Sequence, residues 1–343
     1  MSEINRRIVL AERPQGAPRA DNFRLEQAPV PAPADGEVVS RTVYLSLDPY
    51  MRGRMNDAPS YTAPVEIGGV MTGGTVGQVV ESRLDGFAPG DFVVGYGGWQ
   101  DHAVFKAGEM RKVDPADAPL STALGVLGMP GMTAYTGLHE IGKPQTGETL
   151  VVAAASGAVG AVVGQIAKIK GCRVVGIAGS SEKCDYVVDQ LGFDTCLDHR
   201  SSGFAEALAA ACPDGVDVYW ENVGGEVFQA VLPLFNPFAR IPVCGLIAHY
   251  NATELPAGPD RTPLLMRSIL TKRLTLRGFI VFDFAALEGE FLREVGEWVR
   301  EGRVRYREDI RDGLENAPDA FMGLLGGRNF GKLLIQVAPD PTA

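Results

Sequence analysis

A chain of 343 residues carries the run Ala155-Ser156-Gly157-Ala158-Val159-Gly160. It follows a continuous apolar stretch, residues 150–155, and precedes Val159, Val162, Val163, Ile166 and Ile169 at helical spacing. An A-x-G-x-x-G turn between strand and helix lets the backbone approach a pyrophosphate. The phosphate oxygens then meet the N–H groups and the positive dipole end of the helix. The chemistry implied is dinucleotide binding by Gly157, Ala158, Val159 and Gly160. The end of the second strand chooses the dinucleotide. NAD enzymes place Asp or Glu there for the ribose 2′-hydroxyl, and NADP enzymes supply cations and hydroxyls. Here Ala178-Gly179-Ser180-Ser181 is followed by Glu182 and Lys183. Glu182 stands near the spacing of an NAD carboxylate, but past the glycine, in the first turn of the next helix, a carboxylate simply suits the helix dipole. Ser180 and Lys183, with His199 and Arg200 after a third strand, can surround a 2′-phosphate. NADP is favoured over NAD.

Other patterns carry no chemistry. Residues 137–144 and 326–333 match GxxxxGK but lack the Ser or Thr that binds magnesium, and Pro144 forbids the helix a P-loop requires. Cys172, Cys184, Cys196, Cys212 and Cys244 show no CxxC pair or other zinc-type spacing, so they read as reduced structural thiols and no metal site is expected. Net charge is −10, which argues against a nucleic-acid or anionic-membrane surface. The only apolar stretch near the N-terminus, residues 8–11, is too short for a secretory segment, and a cytoplasmic protein is expected.

Two kinds of texture must position these residues. Residues 1–128 read as strand and turn: Val43, Leu45 and Leu47 alternate with Thr42, Tyr44 and Ser46 as in a half-buried strand, and residues 68–77 are glycine-rich turns or bulges. From about residue 130, strand and helix alternate. Apolar strands are expected at 150–155, 173–178, 195–198, 216–221, 240–246 and 274–281, with helices at 159–170, 183–191 and 287–299. This is the signature of a doubly wound parallel sheet in an α/β protein. The tail, 332–337, is again strand-like and could rejoin the first domain.

Four separated stretches carry a family resemblance: Leu45-Ser46-Leu47-Asp48-Pro49-Tyr50-Met51-Arg52, Gly128-Met129-Pro130-Gly131-Met132-Thr133-Ala134-Tyr135, Glu221-Asn222-Val223-Gly224-Gly225 and Asn329-Phe330-Gly331-Lys332. With them the chain resembles, over nearly its whole length, the zinc-independent medium-chain dehydrogenase/reductases. Within these it is similar to the leukotriene B4 12-hydroxydehydrogenase/prostaglandin reductase and alkenal double-bond reductase branch. Ser60-Tyr61 and Leu255-Pro256-Ala257-Gly258-Pro259-Asp260-Arg261 extend the likeness to the bacterial NADPH-dependent curcumin/dihydrocurcumin reductases. The resemblance implies a GroES-like, mainly β catalytic domain (1–128 and 305–343), a Rossmann NADP-binding domain (129–304) and a homodimer. Zinc-dependent relatives carry a G-H-E motif where this chain has Gly68-Gly69-Val70-Met71, and a catalytic cysteine where this chain has none before Cys172.

Carried over position by position, the resemblance implies cofactor contacts at Gly157 to Gly160, Lys183, Asn222, Cys244, Gly245, Leu246, Ile247, Tyr250, Phe279, Ile280, Val281 and Asn329. Relatives often have Tyr where His199 stands. The reaction implied is hydride transfer from NADPH to the β-carbon of an enone or enal. Charge develops on the carbonyl oxygen, and donors aimed at it lower the barrier. The family pattern points to Tyr250 and a cofactor ribose hydroxyl as those donors. The α-carbon is then protonated by tyrosine or by water. Tyr50 and Tyr61 are candidates for the wall that packs on a flat conjugated substrate. A quinone reductase of the same fold, and a binder of NADPH without turnover, are the rival readings.

Overall fold

The structure, a computed structural model, describes residues 4–343. The chain forms two compact units. One runs up to Gly125 and resumes at Glu308–Ala343, and the other is Val126–Arg307. The sequence placed these limits at 128/129 and 304/305. They shift by three residues because Val126 and Val304 belong to the apolar core of the second unit, and because the Gln165 side chain pairs with the Arg305 backbone in both directions.

The first unit opens with an antiparallel ribbon, β1 (Ile4–Leu10) against β2 (Phe23–Pro29). Its main sheet is built around β3 (Glu37–Ser46), which pairs antiparallel with β4 (Thr75–Ser82) and β6 (His102–Lys106). β5 (Phe92–Gly95) joins β4, and β7 (Met110–Val113) joins β5. The alternation over residues 42–47 suggested one solvated face, and this is corrected. Thr42, Tyr44 and Ser46 are as buried as Val43, Leu45 and Leu47. One face packs Val43 and Tyr44 with Val76, Leu120 and Leu334, and the other packs Leu45 and Leu47 with Met51, Trp99 and Phe321. The buried Ser46 hydroxyl is satisfied by donating to the Asp48 carboxylate. The bulge between Thr42 and Tyr44 faces Gly77, where a Cβ would stand 2.3 Å from the Arg41 carbonyl oxygen. Only glycine fits there.

The second unit is a six-stranded, wholly parallel sheet: β8 (Thr149–Ala153), β9 (Arg173–Ala178), β10 (Thr195–Asp198), β11 (Val216–Trp220), β12 (Phe235–Val243) and β13 (Thr275–Gly278). The spatial order is β10-β9-β8-β11-β12-β13, the doubly wound order in which strand succession reverses between β8 and β11. β8 shows why it reads as unbroken apolar sequence. Leu150 and Val152 pack with Val162, Val163 and Ile166 on one face, while Val151 and Ala153 pack with Leu208, Val227 and Val231 on the other. The expected helices appear at Gly160–Ile169, Ser181–Asp189 and Glu288–Arg300. β12 begins five residues before the expected 240, through a distorted start at which Phe238 has φ 66°. The helix Met129–Gly137 was not foreseen. Its residues are buried nearly all round, which leaves no amphipathic period to read.

The chain then re-enters the first unit as β14 (Glu308–Asp312) and β15 (Lys332–Gln336). β15 runs antiparallel to β3, and β14 runs parallel to β15 at the sheet edge. The sequence Glu-Asp-Ile-Arg-Asp gave no strand signal for β14. Charged side chains are tolerated on an edge, where they discourage further pairing: Arg311 and Asp312 are exposed, while Glu308 and Asp309 are partly buried.

Candidate nucleotide-binding and substrate-facing residues

The glycine turn leaves β8 through Ala154, a left-handed residue (φ 54°), and the Gly157 N–H donates to the Ala154 carbonyl at 2.9 Å. The helix begins at Gly160, one residue later than read from the sequence. A Cβ on Gly160 would lie 2.3 Å from the Ala154 oxygen, so the tight return from strand to helix requires glycine. Gly157 meets only that same oxygen, at 3.2 Å, and its outer side is open. The amides of Ala158 and Val159 donate to no acceptor among the described residues, and no side chain caps the helix. A cradle with orphan N–H groups at a helix N-terminus fits a dinucleotide pyrophosphate. Gly164, one turn on, escaped the sequence reading. A Cβ there would overlap the Phe193 ring at 1.8 Å, so this glycine brings the helix close to the chain leading into β10. Its signal was a glycine inside an apolar helical run, visible but without a stated partner.

β9 ends at Gly179, and the structure gathers His199 and Arg200 against it. The position a Gly179 Cβ would take is 3.4 Å from His199 Nε2 and 3.6 Å from the Arg200 guanidinium carbon. Ser180 caps the helix Ser181–Asp189, its Oγ accepting the Lys183 N–H at 3.3 Å, which leaves the hydroxyl hydrogen to donate elsewhere. Glu182 is exposed in the helix's first turn, as its dipole role requires. Partial burial and the neighbouring Arg200 hold the His199 pKa below its ordinary value. At pH 7 His199 is therefore mostly neutral, and Lys183 and Arg200 carry the positive charge at this strand end.

At the switch point, Asn222 ties two strand ends together. Its Nδ2 donates to the Ala153 carbonyl at 2.8 Å, and its Oδ1 accepts the Trp220 indole N–H at 3.1 Å. Buried Glu221 accepts the N–H groups of Val223 and Gly224 at 2.6 and 2.7 Å; burial raises its pKa. The segment after β12 folds back on this turn. Cys244 and Gly245 donate to the Glu221 carbonyl, and burial pushes the Cys244 thiol up to about 12. Ile247 donates to the Asn222 carbonyl, while the Leu246 side chain is exposed. The Tyr250 hydroxyl oxygen accepts the Leu246 N–H at 3.4 Å, directly over Gly245. An oxygen that accepts one hydrogen bond becomes a better donor with its own hydrogen. Phe279 and Val281 are core residues, Phe279 stacking edge-on to Trp220 at 5.8 Å. Only their backbone is left to face a cofactor, while Ile280 N–H is already held by Asp283.

In the first unit, Tyr50 follows β3 through Leu47, Asp48 and Pro49. Its hydroxyl is buried without a partner among the described residues, and burial together with the Asp48 charge raises its pKa well above 10. Tyr61 is 58% exposed, and both it and Tyr96 lie near enough to Tyr50 for their ionisations to affect one another. Tyr96 was missed: it sits just past β5 in a glycine-rich turn, and only the fold brings it to the other two. Burial first, then Asp48, raises its pKa too. All three phenols stay protonated at neutral pH.

Beneath them lies an ion pair nearly out of solvent's reach. Lys332 Nζ donates to Asp48 at 3.1 Å and to the carbonyls of Leu47 and Leu333 at 2.9 and 3.1 Å. Its side chain is 4% exposed. Asn329 donates to the Gly331 carbonyl and lines a polar cavity of about 490 Å³ with Asp309, Asp319 and Arg328. Among the described residues no cluster of three His, Cys, Asp or Glu side chains is arranged to hold a metal ion.

Residues 6–113 match the family described as the N-terminal domain of oxidoreductase, and residues 158–297 the family described as zinc-binding dehydrogenase. The NADPH-dependent curcumin reductase of Escherichia coli (strain K12) is 61% identical over 337 residues, covering 98% of each chain. The chain is a zinc-independent medium-chain dehydrogenase/reductase. Another member of this family, the NADP(+)-dependent 2-alkenal reductase of Nicotiana tabacum, is 39% identical over 342 residues, again 98% of each chain. The crystal structure of CurA from Vibrio vulnificus in complex with NADPH superposes with a TM-score of 0.94 at 56% identity, covering 98% of this chain and all of that one. The match extends through both units of this dehydrogenase/reductase.

Proposed function

We propose that this chain reduces the carbon–carbon double bond of α,β-unsaturated ketones and aldehydes, curcumin-like enones and alkenals among them, with NADPH. The observation that carries the reading is likeness, over 98% of the chain, to a curcumin reductase, together with a glycine turn whose orphan amides suit a pyrophosphate. NADPH, when bound, supplies the hydride. The amides of Ala158 and Val159 hold the pyrophosphate, and Lys183, Arg200 and the Ser180 hydroxyl hold the 2′-phosphate. Asn222 keeps the ends of β8 and β11 at a fixed distance. Tyr250 donates its hydroxyl hydrogen to the substrate carbonyl oxygen, stabilising the negative charge that develops there. Tyr50, Tyr61 and Tyr96 offer flat apolar faces to a conjugated substrate.

A homodimer is part of the same reading. The helix Thr262–Lys272 buries no residue: Leu264 is 59%, Met266 57% and Leu270 76% exposed. The helix packs on β12, whose neighbour β13 is the edge strand, and apolar exposure near an open edge suits pairing with a second copy. A cytoplasmic location fits five cysteines outside any disulfide. No helix among the described residues is long and apolar enough to cross a membrane.

The test is NADPH consumption against a panel of enones, enals and quinones, with products identified by mass. Saturated ketones and aldehydes support the proposal. Hydroquinones alone would favour a quinone reductase, and binding of NADPH without consumption on any substrate would favour a protein without turnover.

A further inference from the structure

Glu221 stands one residue past β11, at the switch point, and is 2% exposed. Its backbone still follows the sheet: its N–H donates to the Pro242 carbonyl at 3.0 Å, and its own carbonyl accepts from Cys244 and Gly245 at 2.9 and 3.1 Å. Its carboxyl turns back on its own chain, where Oε1 accepts the N–H groups of both Val223 and Gly224. Oε2 is buried with no partner among the described residues. A carboxyl group taken out of water with one oxygen unsatisfied costs stability, and such a group calls for an explanation. The contacts of the turn supply one. Gly224 is held at φ 76° and ψ −153°, where glycine alone is unstrained, and the position of its absent Cβ lies 3.1 Å from the His249 ring and 3.2 Å from the Leu246 side chain. Two carbonyls of the same turn carry the segment that follows β12: Asn222 O accepts from Ile247 at 3.2 Å and Val223 O from Ala248 at 3.0 Å. Ile247–His249 is a single helical turn, which Tyr250 closes by donating its N–H to the Ile247 carbonyl at 3.3 Å. An unbroken series of hydrogen bonds therefore joins the Glu221 carboxyl to the backbone of Tyr250.

We propose that Glu221 is a positioning residue for the reduction: its carboxyl fixes the turn 222–224, the turn fixes the segment 247–250, and the segment fixes where the Tyr250 hydroxyl points. The catalytic half of this role rests on reading Tyr250 as the donor to the developing oxyanion, whereas the hold on the segment does not. Placement of that donor matters because a group misplaced by about 1 Å can lose roughly 100-fold in rate. Glu221 acts as an acceptor, so the requirement is an oxygen at this place rather than a charge. Burial raises its pKa, and the carbonyl-type oxygen accepts hydrogen bonds in either protonation state. An amide can therefore replace it.

The experiment compares Glu221→Met, which fills the same space without a strong acceptor, with Glu221→Gln, which keeps an oxygen in reach of both N–H groups. Each is measured alone and combined with Tyr250→Phe, at saturating NADPH and enone, with thermal unfolding as the control for folding. Glu221→Met should lower turnover about tenfold, a part of the roughly 100-fold assigned to the Tyr250 hydroxyl, and Glu221→Gln should recover most of the loss. In the Tyr250→Phe background Glu221→Met should cost less than about twofold, because the hydroxyl it positions is already gone. A damaged scaffold would cost the same factor in both backgrounds, and that additive result overturns the proposal. So does a Glu221→Gln variant that folds and is as slow as Glu221→Met. Amide hydrogen exchange at Ile247 and Ala248 should quicken about tenfold in Glu221→Met and not in Glu221→Gln, and unchanged exchange overturns the hold on the segment. If Tyr250→Phe alone keeps full turnover, the oxyanion reading fails and takes the catalytic half of the proposal with it, while the exchange data still decide the other half. If Glu221→Met does not fold, the parent enzyme decides: its Val223 and Gly224 amides should exchange at least about 100-fold more slowly than in an unstructured peptide, and unprotected exchange overturns the proposal.

Discussion

Lys183→Ala isolates the charge of the 2′-phosphate site from its scaffold. The cap on the helix Ser181–Asp189 runs from the Lys183 backbone N–H to Ser180 Oγ and survives the substitution, and alanine is a good helix former. Folding should therefore be unaffected, and the change should fall on binding alone. A hydrogen bond to a charged group contributes about 1.5–3 kcal/mol, equivalent to about 12- to 150-fold in affinity. Arg200 remains beside Gly179, and His199, mostly neutral at pH 7, adds little charge of its own. The expected loss of NADPH affinity is thus in the lower half of that range, about 10- to 50-fold. NADH has no 2′-phosphate and should bind the variant and the parent equally. Fluorescence titration of both cofactors, with thermal unfolding as the control for folding, measures the difference. Equal loss for NADPH and NADH, or no loss for either, refutes the assignment of Lys183.

Tyr250→Phe should lower turnover with a saturating enone by roughly 100-fold or somewhat less, the bottom of the range for one oxyanion donor, since a cofactor ribose hydroxyl is implied as a second. NADPH affinity should hold, because the ring stays. Full turnover with chemistry shown to be rate-limiting would make Tyr250 a wall of the site and nothing more. Lys332→Met strips the buried Asp48 of its cation and should destabilise the fold by about 3–5 kcal/mol in urea unfolding, with Asp48→Asn in the same chain recovering a substantial part. An exposed pair would show neither effect. Activity should survive exhaustive chelation, and inactivation reversed by added zinc would contradict the zinc-independent chemistry proposed here.

What the sequence determined by itself was whatever depends on neighbours along the chain. Strand β8 could be read because both its faces are apolar, and the turn at residues 155–160 because glycine at 160 answers to an oxygen only six residues away. Ser180 and Lys183 could be read as phosphate-site candidates because both follow directly on the end of β9 along the chain. The tertiary structure decided what depends on distant partners. Asp48 and Lys332 are 284 residues apart, and neither type nor spacing announces that one neutralises the other. Tyr96 joins Tyr50 and Tyr61 only because β5 is stitched to β4. β3 looked half-exposed because its polar alternates are buried by distant partners: the Ser46 hydroxyl donates to Asp48 and the Tyr44 hydroxyl to Asp340, near the far end of the chain. Local periodicity reports which way a side chain points, and only the assembled core decides what it meets there.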